Sequence, residues 1–513
     1  MEPKPITRTA TVLIVLAFAS LLATFNETIL NVALTPIMAD LGVDANTVQW
    51  VATAYMLCAA IMVPITGFLY RSVPTRRLFV LALFLLLAGT VVGIFAPSFA
   101  VLLVARIIQA LGTGMLVPLG LNLTLVIAPA GSVGTYMGTV SAMTTLGPAL
   151  GPIVAGAVLS TFSWHAIFVL FAILVAACLV LAAFLIPDVP ELTHPKLDAA
   201  SVCLVSVALI GLLYGISTVF SGQLVAAVVA LVVGVVFLGL FVARQRTIAE
   251  PLLDLRPFEN PLFVFGLIAV TIALMTVFSM NMILPVFMQG ALGYTALGAA
   301  LTLFPACVCS CVLAPVAGKV FDKHGLRIMA PIGFACMAAF AFALSLLGES
   351  AQAWQIIVFY LIVIVGVSLA MSPSQSFALS RLDRELYPHG VTIMSTAFQI
   401  AGCLGSSLFM GILSLVQGQG MEAGAAPTAA MAQGFSAACL LATALACIGF
   451  VIALVLGRGE RALGVGAEAG ASAGEADELT PLMEADGCVA ADGAASGVAS
   501  CAGGSLSPES AHA

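Results

Sequence analysis

Of 513 residues, 62% are apolar and only 8% are Asp, Glu, Lys or Arg, where an ordinary soluble domain carries roughly 25% charged residues. No water-soluble surface can be assembled from that composition, which excludes a soluble enzyme and a nucleic-acid-binding module. A backbone inside hydrocarbon must bond to itself, and about 20 apolar residues cross the core as a helix, so the chain is expected to be an all-α integral membrane protein.

Fourteen apolar runs follow one another: 11–37, 47–70, 78–96, 99–127, 136–159, 164–186, 199–219, 222–243, 261–289, 294–317, 327–348, 353–377, 388–416 and 433–456. The first is too long for a cleaved signal peptide and, with Asn26, Glu27 and Asn31, too polar; it is read as span 1. Lys and Arg favour cytoplasmic loops. With fourteen spans and a cytoplasmic N-terminus, every one of the 17 Lys and Arg except Arg106 falls on one side, and losing a span would move all later clusters to the other. Both termini are therefore expected in the cytoplasm. The segment Gly457–Ala513 sets nine acids against Arg458 and Arg461 in an Ala, Gly and Ser background. It holds the whole formal charge of −7 and is expected to be a disordered tail. Most of the 12 cysteines, Cys58, Cys178, Cys203 and Cys336 among them, lie in apolar runs, where a small side chain packs well, so no disulfide framework is expected.

Two charges remain inside the spans, Glu27 and Arg106. A charge near the bilayer centre costs several kcal/mol unless a partner or a wet cavity receives it. Two readings follow: a buried structural pair locking spans 1 and 4, or a carboxyl that binds and releases a proton while Arg106 biases it. Desolvation and a neighbouring guanidinium act on a carboxyl in opposite directions, so a site combining them can exchange a proton at cellular pH.

Span 5 carries Gly147, Pro148, Gly151 and Pro152. Proline removes an amide donor and glycine removes bulk, so the helix is expected to bend and to pack closely, either passively or as a moving hinge. In span 10, Cys307, Cys309 and Cys311 alternate; only Cys307 and Cys311 share a helix face, and with no His at that depth packing outweighs metal binding. No metal site and no cofactor are expected, and no Ser/His/Asp set or phosphate loop points to an enzyme.

These residues resemble a family. Phe25-Asn26-Glu27-Thr28-Ile29-Leu30-Asn31-Val32-Ala33-Leu34-Thr35-Pro36 is similar to the span 1 signature LDxTIVNVALP of the fourteen-span drug:proton antiporters of the major facilitator superfamily. Asn26 replaces the usual Asp, the acid moves to Glu27, and this version resembles the branch named for lincomycin resistance. Arg106-Ile107-Ile108-Gln109-Ala110-Leu111-Gly112-Thr113-Gly114 resembles the span 4 signature, which implies a proton-transfer role for Arg106. Gly147-Pro148-Ala149-Leu150-Gly151-Pro152 matches the span 5 antiporter motif, which implies a hinge that limits leakage. The loop motif GxLaDrxGrkxl is nearly complete at Gly318-Lys319-Val320-Phe321-Asp322-Lys323-His324-Gly325-Leu326-Arg327. Its first-half copy, Gly67 to Arg77, has Arg71 in place of the acid and Pro74 in place of the glycine. An acid before a helix start can bond free amides and favour one gate position; Asp322 can do this and Arg71 cannot. Two such loops point to internal duplication. Trp164-His165-Ala166-Ile167-Phe168, Leu197-Asp198, Glu250 to Phe258, and Leu284-Pro285 with Gln289, Gly293 and Pro305 are lesser matches.

The resemblance implies a major facilitator fold with 14 transmembrane helices: a six-helix bundle (1–186), two inserted spans with a linker (187–260), a second six-helix bundle (261–456) and the tail (457–513). It implies a monomer in the plasma membrane, driven by the proton gradient, that exports amphipathic small molecules by alternating access. Exporting a physiological metabolite by the same mechanism is one alternative, and a non-transporting receptor or scaffold is another. Asn26, Asn31, Gln109, Met280, Asn281 and Gln289 are the expected cavity residues; Gly67, Arg71, Gly318, Asp322, Gly325 and Arg327 form the expected gating loops.

Overall fold

The structure, a computed structural model, describes residues 9–188, 198–219, 223–248 and 251–462, apart from positions 44, 49 and 130. The apolar runs become helices α1 (Thr9–Thr28), α2 (Trp50–Ser72), α3 (Thr75–Ile94), α4 (Phe99–Ile127), α5 (Val133–Leu159), α6 (His165–Leu185) and α7 (Ala199–Thr218). The series continues with α8 (Leu224–Gln245), α9 (Pro261–Gly290), α10 (Ala296–His324), α11 (Met329–Ser345), α12 (Ala353–Ser380), α13 (Tyr387–Glu422) and α14 (Pro427–Ala462). Thirteen of them are long and apolar enough to cross a bilayer. The remaining one, α11, has 17 residues, or about 26 Å of helix, at the short end of what spans.

Several boundaries differ from expectation: α10 runs on to His324, α13 runs on to Glu422, α14 starts at Pro427, and the first and last spans differ as well. The run 11–37 does not form one continuous helix: α1 ends at Thr28, passes into a 3-10 turn at Ile29–Val32, and is followed by a short helix Leu34–Leu41. Pro36 falls in the first turn of that short helix, where its missing amide needs no partner. At the other end, α14 runs on through Gly457 to Ala462. Gly457 lies against Arg327, where a Cβ would meet the Arg327 Cα at 3.2 Å, and the good helix formers Arg458, Glu460, Arg461 and Ala462 carry the helix on. The rest of the acidic segment lies outside the described residues.

Helices α1–α6 and α9–α14 pair in the same way. In the first set α1 packs on α5, α2 on α4 and α3 on both α4 and α6; in the second α9 packs on α13, α10 on α12 and α11 on both α12 and α14. Small residues set these crossings. A Cβ at Gly93 would strike the Phe168 ring at 2.4 Å, and at the corresponding crossing one at Gly449 would strike Phe334 at 2.4 Å. The duplication suggested by the loop motifs is thus visible as repeated packing.

The two sets meet along two crossed seams, α5 against α10 and α2 against α13. Inserted helix α7 packs on α2 and α13, so it covers the second seam; α8 packs on α7 through Gly211 and Gly234. At the base of this hairpin, Asp198 caps α7 through the Ser201 amide and holds Arg244 of α8 in a two-point ion pair at 2.7 and 3.0 Å.

Candidate functional site

Close backbone approach builds the polar centre. A Cβ at Gly112 would lie 2.4 Å from the Ala82 carbonyl, and one at Gly114 2.4 Å from the Ala59 carbonyl, so α4 sits directly against α3 and α2. Arg106, on the same helix, is fully buried. Its Nε donates to the Val51 carbonyl at 3.2 Å, and its Nη1 lies 3.0 Å from Gln109 Oε1, 3.2 Å from the Asn26 carbonyl and 3.3 Å from Asn26 Oδ1. The guanidinium stacks on the Tyr55 ring, 3.9 Å from its centroid, a cation–π contact that desolvation strengthens. Asn26 Nδ2 donates to the Tyr55 hydroxyl at 3.1 Å, which donates to Thr113 Oγ1 at 2.6 Å; Gln109 Nε2 donates to Thr90 Oγ1 at 2.9 Å. Arg106 Nη2 is buried with no hydrogen-bond partner among the described residues.

Among the described residues Glu27 is not paired with Arg106, so the reading of a direct structural lock does not hold in this conformation, although the two charges are near enough to act on each other. Glu27, 7% exposed, borders a small cavity. Thr24, Ala59, Val63, Thr113, Gly114 and Val117 form one wall and Ser395, Phe398 and Gln399 of α13 the other. The acid therefore lies between the two helix sets.

Helix α5, continuous through Pro148 and Pro152, packs on α1 beside this acid. A Cβ at Gly147 would meet Thr24 Oγ1 at 2.0 Å, and one at Gly151 would meet Thr28 Oγ1 at 2.3 Å. Pro152 has no amide, which leaves the Pro148 carbonyl without its helical donor. The Thr28 hydroxyl supplies that bond at 3.2 Å. The span 5 motif is thereby joined to the residue next to Glu27.

The two glycines of the expected gating loops lie not in loops but inside helices, Gly67 in α2 and Gly318 in α10, where the sets touch. A Cβ at Gly318 would lie 2.0 Å from the Gly134 carbonyl of α5, and one at Gly67 2.5 Å from Thr392 Oγ1 of α13. The chemistry beside them differs. Asp322 accepts from the Gly134 amide at 2.7 Å, the Thr135 amide at 2.9 Å and the Thr135 hydroxyl at 2.8 Å, capping the first turn of α5 from the opposite set. Gly325, with φ of 72°, ends α10 just beyond, and Arg327 lies against Gly457. In the first set Arg71, in the last turn of α2, donates instead to the Pro251 carbonyl of the linker at 3.4 Å. The Asp254 amide donates to His389 Nδ1 of α13 at 3.0 Å, and burial, which disfavours the Asp254 charge, is outweighed by Arg256, so this carboxyl is held below the usual carboxylate range.

The expected cavity residues disperse. Asn26 and Gln109 belong to the Arg106 network; Asn31 is exposed beyond α1; Met280 is fully buried in the apolar core of the second set. Asn281 accepts from Tyr360 at 2.8 Å, and Gln289 is exposed, bonded to the Pro285 carbonyl. Tyr55, Thr113, Ser395 and Gln399 were not singled out in the sequence. Tyr55 had a signal, since a phenol inside an apolar run must find a partner.

The sequence model of the Major Facilitator Superfamily matches residues 16–406. The chain belongs to that superfamily. Within it, this chain is 36% identical over 410 residues to the lincomycin resistance protein LmrB of Bacillus subtilis (strain 168), covering 79% of this chain and 86% of that one. It is 27% identical over 409 residues to the multidrug resistance protein B homolog of Mycobacterium tuberculosis (strain ATCC 25618 / H37Rv), covering 78% and 75%. Among solved structures, the human organic anion transporter MFSD10 (TETRAN) superposes with a TM-score of 0.59 at 13% identity, covering 88% of this chain and 100% of that one, a likeness of fold alone. This superfamily member is thus a multi-pass membrane protein of a transporter family, and the fourteen apolar helices among its described residues match the all-α fold expected from sequence.

Proposed function

We propose that this chain is a proton-coupled exporter of amphipathic small molecules, antibiotics among them, working by alternating access as a monomer in the plasma membrane with both termini in the cytoplasm. The names of the lincomycin and multidrug resistance relatives support the substrate class. The observation that carries the mechanism is Glu27, an acid on the seam between two helix sets, with α13 forming the opposite wall of its cavity.

On this reading the Lys/Arg-rich end is cytoplasmic, and the Asp322 cap on α5 keeps that end closed. Glu27, one residue from the far end of α1, then faces outward. A compound leaves as Glu27 takes up a proton, and the sets rock about the crossings at Gly67 and Gly318. Facing inward, Glu27 releases the proton and its charge is balanced by Arg106, whose Nη2 has a donor to offer. Thr28 links the acid to the Gly-Pro segment of α5, so the charge state of one helix end is felt by the helix that Asp322 caps. One charge moved through 100 mV is worth about 2.3 kcal/mol, enough to drive accumulation of a neutral compound.

The test is a susceptibility panel, lincomycin included, in an efflux-deficient host. Expression should raise resistance to several amphipathic compounds, and a protonophore should abolish their energy-dependent export from loaded cells. Unaltered susceptibility across the panel with the protein present in the membrane would overturn the proposal.

A further inference from the structure

A second, small cavity with a mostly apolar lining lies where α7 closes the seam between α2 and α13. Its walls are Thr53, Met56 and Leu57 of α2, Leu213 and Ser217 of α7, and Gln399 and Cys403 of α13. None of these is charged, and most of what they offer is methyl, methylene and sulfur, a lining that receives alkyl or aryl groups and rejects ions. Met56 is the adaptable member of such a wall. Gln399 lines this cavity and the Glu27 cavity alike, so one side chain separates a charged compartment from an apolar one.

The inserted helix is built into this place. Cys403 Sγ donates to the Leu213 carbonyl at 3.3 Å, tying α13 to α7, and Trp50 stacks on Tyr214 with ring centroids 6.2 Å apart. We propose that the groove under α7 is a subsite for the apolar tail of the exported compound, whose polar head lies at Glu27 beyond Gln399. The inference rests on the export reading and gives the inserted pair a part in binding: α7 supplies a wall, and α8 braces α7.

Everted vesicles and an alkyltrimethylammonium series, butyl to dodecyl, test it. The rim variants Thr53→Trp and Ser217→Trp, from opposite walls, should each lower kcat/KM for the dodecyl probe at least tenfold while changing that for the butyl probe less than twofold. In Ser217→Cys, a nearly isosteric change, alkylation of the introduced thiol followed by peptide mass spectrometry should be slowed several-fold by the dodecyl probe and unaffected by the butyl one. Equal effects of the Trp variants on both probes, or alkylation indifferent to tail length, would overturn the subsite and leave the exporter intact. Absence of gradient-driven movement of any probe by the wild type would overturn the export reading itself, and the subsite with it.

Discussion

Asp322 holds the α5 N-terminus from the other helix set, and its removal should loosen the closed end by a predictable amount. Its carboxylate accepts three bonds, at 2.7, 2.8 and 2.9 Å. Hydrogen bonds to a charged group contribute about 1.5–3 kcal/mol each when buried, and loss of a helix N-cap costs about 0.5–2 kcal/mol. Because the site is only partly buried, the total is discounted to about 2–3 kcal/mol. At about 1.36 kcal/mol per decade, the closed end should open roughly 30- to 150-fold more often in Asp322→Ala. Hydrogen–deuterium exchange of the peptide covering Gly134 and Thr135, in nanodiscs, reads this directly: exchange there should accelerate by one to two orders of magnitude. Asp322→Asn, which keeps an acceptor but loses the charge, should fall between the two. Wild-type exchange rates in Asp322→Ala would refute the assignment of Asp322 as a clamp between the sets.

Further outcomes follow from the same contacts. Tyr55→Phe keeps the ring under Arg106 but removes the bonds to Asn26 and Thr113, a loss of about 1–3 kcal/mol that should lower gradient-driven export several-fold with normal membrane abundance. Arg71→Asp restores the acid of the family loop but sets it against the Pro251 carbonyl, so it should depress export in vesicle assays rather than improve it. The Asp198 carboxyl is held well below the usual carboxylate range by hydrogen bonds from Arg244 and Ser201. A depressed pKa stabilises above the unfolded value and that stabilisation fades only as pH falls through the folded value, so the hairpin base should be insensitive to pH between about 6 and 8. Thermal unfolding in detergent should accordingly show the same pH dependence over that range in wild type and Asp198→Asn.

The spans were legible because lipid leaves so few options: apolar runs near 20 residues, with positive charge sorted to one side, admit little besides helices. Breaks inside runs were less visible. The end of α1 at Thr28 depends on tertiary contacts with α5, through Gly147, Gly151 and the Pro148 carbonyl, which no local pattern announces. Glu27 and Arg106 stood out because hydrocarbon excludes charge, but what surrounds them did not. Arg106 turns to neutral acceptors, on α1 and α2 as well as its own helix, and the wall opposite Glu27 comes from α13, far along the chain. Met280 and Gln289 were expected to line the cavity, whereas the rotation of α9 buries one in the core and exposes the other. Asp322 differs, because a short acidic residue beside a helix start has a defined bonding partner, which made its capping contact foreseeable in kind though not in its target helix.

The coupling role of Glu27 is open to one decisive comparison. In everted vesicles, Glu27→Gln should lose uptake driven by an imposed pH gradient while retaining exchange of internal for external drug, since the binding cavity and the rocking of the sets survive without the proton. Gradient-driven uptake at the wild-type level in Glu27→Gln would show that the proton travels by another group, and the account of this acid as the coupling site would be wrong.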